Sequence, residues 1–153
     1  MSPEFERRLS HLLDRLEPML PPTAVEVDWT RDVAALWTRH PLGGRLTPIA
    51  PRDALTLEDL LGIARQKREL LANTRAFLAG KPANHALLWG ARGTGKSSLV
   101  RALLNTLGRE GLRLIQIDRH DLPALPALVA ELAQQPHRFI VYCDDLSFEG
   151  SDD

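Results

Sequence analysis

Gly90-Ala91-Arg92-Gly93-Thr94-Gly95-Lys96-Ser97 matches G-x-x-x-x-G-K-[ST] at every fixed position. The stretch leaves an apolar run, Ala86–Trp89, and enters a segment with helical spacing, Ser97–Leu107. Glycines at these positions let the backbone curl so that successive N–H groups point inward, as a phosphate cradle requires. The free N–H groups and positive end of the following helix add to that attraction. Lys96 would reach the β- and γ-phosphates, and Ser97 offers a hydroxyl to an octahedral Mg²⁺.

Outward from the loop, short apolar runs alternate with helical patterns. Ala86–Trp89, Leu112–Ile117 and Arg138–Cys143 are predicted strands; Ser97–Leu107 and Ala124–Gln134 are predicted helices. Pro126 falls in the first turn of the second helix, where a missing N–H costs little. Phe139-Ile140-Val141-Tyr142-Cys143 is apolar without alternation, as in a strand covered on both faces. Strand, helix, strand, helix, strand predicts an α/β fold: a P-loop NTPase-type parallel sheet with flanking helices.

The third strand ends in Asp144-Asp145, 48 residues after Lys96. A nucleotide-hydrolysing site needs a carboxylate for Mg²⁺ at the carboxyl end of a parallel strand. Asp144 is the expected metal partner, and Asp145 the group that orients or deprotonates the attacking water. Cys143 reads as a small hydrophobe within the strand. Asp118 and Asp121 follow the second strand, one as a helix cap, with a place near the γ-phosphate as the other reading. The five histidines, His11, His40, His85, His120 and His137, have no metal-ligand spacing.

Upstream, Thr56 with Asp59 predicts the capped start of a short helix that Gly62 breaks. A longer helix follows through Leu70, Leu71, Thr74, Phe77 and Leu78, capped by Gly80 and blocked by Pro82. Residues 1–52 are expected to form a mostly helical accessory region ahead of a nucleotide-binding domain at 53–153. Phe5, Leu9, Leu12, Leu13 and Leu16 give residues 3–17 one apolar helical face. That face suits packing on its own domain, or a partner or membrane surface. Val25, Val27 and Trp29 suggest a short extended piece. Val33, Leu36 and Trp37 suggest a short helix capped by Asp28 or Thr30. Trp29 and Trp37 read as packing residues rather than a ligand cage. His40–Arg52, with Pro41, Gly43, Gly44, Pro48 and Pro51, reads as a joint.

Across all 153 residues, 44% hydrophobic and 25% charged composition excludes a disordered or low-complexity chain. Nineteen Lys/Arg against twenty Asp/Glu give a formal charge of −1, so nucleic-acid binding has no electrostatic support. Arg65, Lys67, Arg68 and Arg75 share one helical segment, which a solvated charged face explains equally well. One cysteine excludes an internal disulfide framework and fits a reducing compartment; the cytoplasm is expected. No run is long enough to cross a membrane.

Leu61-Gly62-Ile63, the helix through Gln66 and Lys67, and Ala83–Gly90 running into the glycine-rich loop resemble the AAA+ ATPases. Leu88–Ser98 with Tyr142–Phe148 resembles, more closely, a bacterial family of predicted AAA-type ATPases of unknown function. The resemblance implies Mg²⁺ and ATP as ligands. It sets Gly90, Ala91, Arg92, Gly93, Thr94, Gly95, Lys96, Ser97 and Ser98 at the phosphates and Gly62 and Ile63 near the adenine. Ser97 and Asp144 would hold the metal, with Lys96 and Asp145 in catalysis. The second acid of this motif is usually Glu in the wider superfamily, and Asp145 is one methylene shorter. The resemblance also implies a ring or filament of copies, with a neighbour's arginine finger, acting on an unknown protein client.

Only eight residues, Leu146 to Asp153, follow Asp145. The remaining strands, the arginine finger and the helical lid of an AAA+ domain cannot fit there. The expectation is a truncated chain or a minimal module, holding ATP with slow or absent hydrolysis. The alternative is a non-catalytic nucleotide-responsive module whose first 50 residues contact a partner. No Asn-Lys-x-Asp guanine motif supports a GTPase.

Overall fold

Leu112-Arg113-Leu114-Ile115-Gln116-Ile117 forms a strand whose side chains leave it alternately in two directions. Leu112 and Leu114 join one buried cluster; Ile115 and Ile117 join another. The computed structural model describes residues 3–16, 26–40, 43–50, 54–91 and 93–144. Its elements are α1 (Pro3–Leu16), β1 (Ala34–His40), β2 (Gly43–Pro48), α2 (Ala64–Leu78), α3 (Lys96–Leu107), β3 (Leu112–Ile117), α4 (Leu125–Leu132) and β4 (Arg138–Cys143).

One four-stranded sheet runs in the order β2-β1-β3-β4. β1 pairs with β3, and β3 with β4, in parallel; β1 and β2 pair antiparallel. The register sets Leu112 beside Arg138 and Ile117 beside Cys143. Phe139, Val141 and Cys143 point to the cluster of Trp29, Ala35, Trp37, Ile115, Ile117, Leu128 and Leu132. Ile140 and Tyr142 point to the opposite cluster, with Val100, Leu103, Leu104 and Leu107 of α3. Apolar residues on both sides of β3 and β4 therefore have helices or loops to bury them, as parallel strands need.

β3, β4, α2 and α3 lie where the sequence predicts them, within a residue or two. The predicted helix 124–134 is α4, shorter and preceded by a 3₁₀ stretch, Arg119–Ala124. Asp118 caps that stretch, accepting the His120 N–H at 2.8 Å. Beyond α2, Gly80 N–H bonds Phe77 O at 3.0 Å and Lys81 N–H bonds Ala76 O at 2.9 Å, a Schellman end.

Several expectations are corrected. Val33–Trp37 is not a helix: Ala34–His40 is β1, because it has β3 to pair with. The segment before it is a turn, in which Asp28 accepts from Thr30 N–H at 3.0 Å and Thr30 Oγ1 at 2.6 Å. That turn replaces the extended piece expected around Val27 and Trp29; Val25 lies outside the described residues. The joint at 40–52 contains β2, so the described residues among the first 52 are not mostly helical, and β1, ahead of residue 52, pairs with β3 beyond it. Ala86–Trp89 is no strand; among the described residues the sheet ends at β4 and offers it no ladder. Thr56 and Asp59 bond as predicted, at 2.7 Å, but close a turn rather than start a helix.

Trp29 and Trp37 are both buried, as packing residues should be. The Trp29 ring meets Phe139 edge-on at 4.8 Å. The Trp37 indole fills the space beside Gly44, so any side chain at that position would collide with it. The buried Arg113 guanidinium fastens the turn to β3. It donates to Trp29 O at 2.9 and 2.7 Å and, through Nη1, to Gly108 O and Leu112 O at 2.9 Å each. On α1, Phe5, Leu9 and Leu12 are exposed. No helix among the described residues is long and apolar enough to cross a membrane.

Candidate functional site

A hydrogen-bonded chain joins the carboxyl end of β4 to the amino end of α3, with the carboxyl end of β3 paired beside β4. Ser97 Oγ, in the first turn of α3, donates to Asp144 Oδ2 at 3.0 Å. Tyr142 OH donates to the same Ser97 Oγ at 3.0 Å. Tyr142 and Asp144 are two residues apart at the end of β4, so both extend from the strand face turned toward α3.

Gly95 brings the loop into α3 with φ +85°, a left-handed conformation that a Cβ disfavours. Leu99 N–H then closes the first helical bond on Gly95 O at 2.8 Å. Helix geometry leaves the N–H groups of Lys96, Ser97 and Ser98 without intrahelical acceptors. Within the loop, Thr94 Oγ1 donates to Ala91 O at 2.8 Å, and Lys96 Nζ donates to Gly90 O and Ala91 O at 3.0 Å each. The half-buried Ser98 Oγ accepts from Arg101 at 3.5 Å. These contacts bring Gly90, Ala91, Gly93, Thr94, Gly95, Lys96, Ser97 and Asp144 to one place; Arg92 and Asp145 lie outside the described residues.

Ile63 packs against the cluster of Leu57, Leu99 and Ala102, on the α3 side of the loop. Gly62 beside it is exposed. Lys67 Nζ braces this approach by donating to Leu57 O at 2.6 Å and Leu60 O at 2.7 Å. The segment leading into the loop is tied to α2 through Asn73, which donates to Asn84 O at 2.8 Å and accepts Asn84 N–H at 2.9 Å.

One group beside the site is tuned by its surroundings. Burial, followed by the negative charges of Asp118 and Asp144, pushes the Cys143 thiol up, which keeps it protonated and a poor nucleophile. Asp121 turns away to an ion pair with Arg39 at 3.0 Å. No group of three or more His, Cys, Asp or Glu side chains placed to hold a metal ion occurs among the described residues.

Sequence reading alone does not single out Tyr142, because an aromatic inside an apolar run reads as core. The available signal is its period: two residues before Asp144 on a strand means the same face.

No curated protein and no solved structure matches the chain. Residues 30–153, more than half of the chain, match the model of the family described as Protein of unknown function (DUF815), and the chain belongs to that family.

Proposed function

We propose that the chain is an ATP-binding protein of the AAA+-like ATPase type, which holds Mg-ATP at the loop 90–97 and the end of β4. The observation that carries this reading is the 3.0 Å bond between Ser97 and Asp144, 47 residues apart. It brings a hydroxyl and a carboxylate together at the mouth of a glycine-rich turn and a helix amino terminus. Both are hard oxygen donors, and two protein oxygens suit Mg²⁺, which keeps waters and phosphates in its shell. Mg²⁺, when bound, would supply charge neutralisation between the phosphates.

The chain's own residues divide the remaining work. The amides of Lys96, Ser97 and Ser98, which have no acceptor within the helix, bind phosphate oxygens together with the loop amides of Gly93 and Gly95. Lys96 places its ammonium on the terminal phosphates. Ile63 and Gly62 border the base. Asp145 has the water-orienting role in this reading, which rests on its place after Asp144 in the sequence.

A fluorescent ATP analogue titrated against wild type and Lys96→Ala tests the proposal. Loss of the ammonium should weaken Mg²⁺-dependent binding by at least about tenfold, the scale of a hydrogen bond to a charged group. Equal affinity of the two proteins would refute it.

A further inference from the structure

Every residue from Phe139 to Cys143 on β4 is apolar except for one hydroxyl, on Tyr142. Its ring serves the cluster of Val100, Leu103, Leu104 and Leu107, a service that phenylalanine would perform as well. The hydroxyl instead reaches Ser97 Oγ at 3.0 Å, and Ser97 in turn reaches Asp144 Oδ2 at 3.0 Å.

We infer that Tyr142 is a positioning residue that aims the Ser97 hydroxyl at the metal; the inference rests on the Mg-nucleotide reading above. A serine hydroxyl has one proton and two lone pairs. The proton goes to Asp144 and one lone pair takes the Tyr142 hydrogen, which leaves the second lone pair with a fixed direction. Mg²⁺ is exacting about such directions, because it takes near-ideal octahedral ligands at about 2.0–2.1 Å. Tyrosine suits the task because a neutral phenol donates one bond without competing as a ligand. The relay also polarises in one sense, Tyr142 to Ser97 to the Asp144 carboxylate, so each bond strengthens the next.

The measured quantity is the ratio of ATP-analogue affinity with Mg²⁺ to that with EDTA. Tyr142→Phe keeps the ring and should lower this ratio by roughly three- to tenfold, the equilibrium value of one ordinary hydrogen bond. Affinity in EDTA should stay within about twofold, because the phosphate amides keep their places. Ser97→Ala should abolish most of the ratio, and Tyr142→Phe added to it should change nothing further. Tyr142 is the single tyrosine, so 3-fluorotyrosine gives one ¹⁹F resonance to follow. That resonance should move when Mg²⁺ is added to the nucleotide-loaded wild type and stay still in Ser97→Ala.

An unchanged ratio in Tyr142→Phe overturns the inference while leaving the nucleotide site standing. So does equal weakening with and without Mg²⁺, or a further loss in the double variant. Absence of any Mg²⁺-dependent binding by wild type overturns the nucleotide reading, and the role of Tyr142 with it.

Discussion

At Gly95 the chain passes from loop to helix at φ +85°, and an added Cβ would find nothing within 4 Å. The demand for glycine there is conformational, unlike that at Gly44, where the Trp37 indole occupies the space. Gly95→Ala should therefore cost about 1–2 kcal/mol, the penalty for a left-handed L-residue, read as a lower urea midpoint at unchanged slope. It should also weaken the ATP analogue, since the α3 amides are aimed through this turn. An unaltered midpoint would show that the left-handed turn is not held in solution. The residues of the loop are legible in the sequence because glycine, lysine and serine at this spacing each answer a separate physical need. Tyr142 is not, because its ring satisfies the apolar pattern and hides the hydroxyl's bond to Ser97.

Among the elements, β4 could be read directly, since a strand buried on both faces shows as an unbroken apolar run, and β3 is a mostly apolar run interrupted by Arg113 and Gln116. β1 could not: Val33, Leu36 and Trp37 fall three and four apart, as on a helix, and Ala34 and Ala35 have little strand preference of their own. Pairing with β3 decides the matter. β2 is hidden by Gly43, Gly44 and Pro48, residues that usually mark turns. An edge strand tolerates proline, and Gly44 is needed beneath Trp37. Ala86–Trp89 errs in the other direction, with strand-like residues that have no neighbouring ladder among the described residues.

The junction of β3 and β4 also carries a pH dependence. His137 precedes β4, and burial, followed by the Arg113 charge on β3, holds its imidazole below the ordinary 6.5. Its buried Nδ1 has no partner among the described residues. The unfolded chain then binds this proton more readily than the folded one. His137 supports full stability above pH 6.5, and stability is lost as the pH falls from there through the lower folded-state value. Between about pH 7.5 and 5.5 the thermal midpoint of wild type should fall more steeply than that of His137→Gln. Parallel slopes would contradict this assignment.

On the scale of the molecule, the sheet has two covered faces, and both meet the candidate site at its carboxyl end. One cluster carries β4 against α3, the other carries it against α4 and the Trp29 turn. The family match begins at residue 30, at that turn, so β1 and β2 fall within the matched region and α1 outside it. On the proposed reading, this end of the sheet binds a metal–nucleotide complex. A crystal structure grown with Mg²⁺ and a non-hydrolysable ATP analogue tests it most directly. The phosphates should lie on the amides of residues 93–98, with the metal bound by Ser97 Oγ and facing Asp144. An analogue bound elsewhere, or absent at saturating concentration, would contradict this binding site.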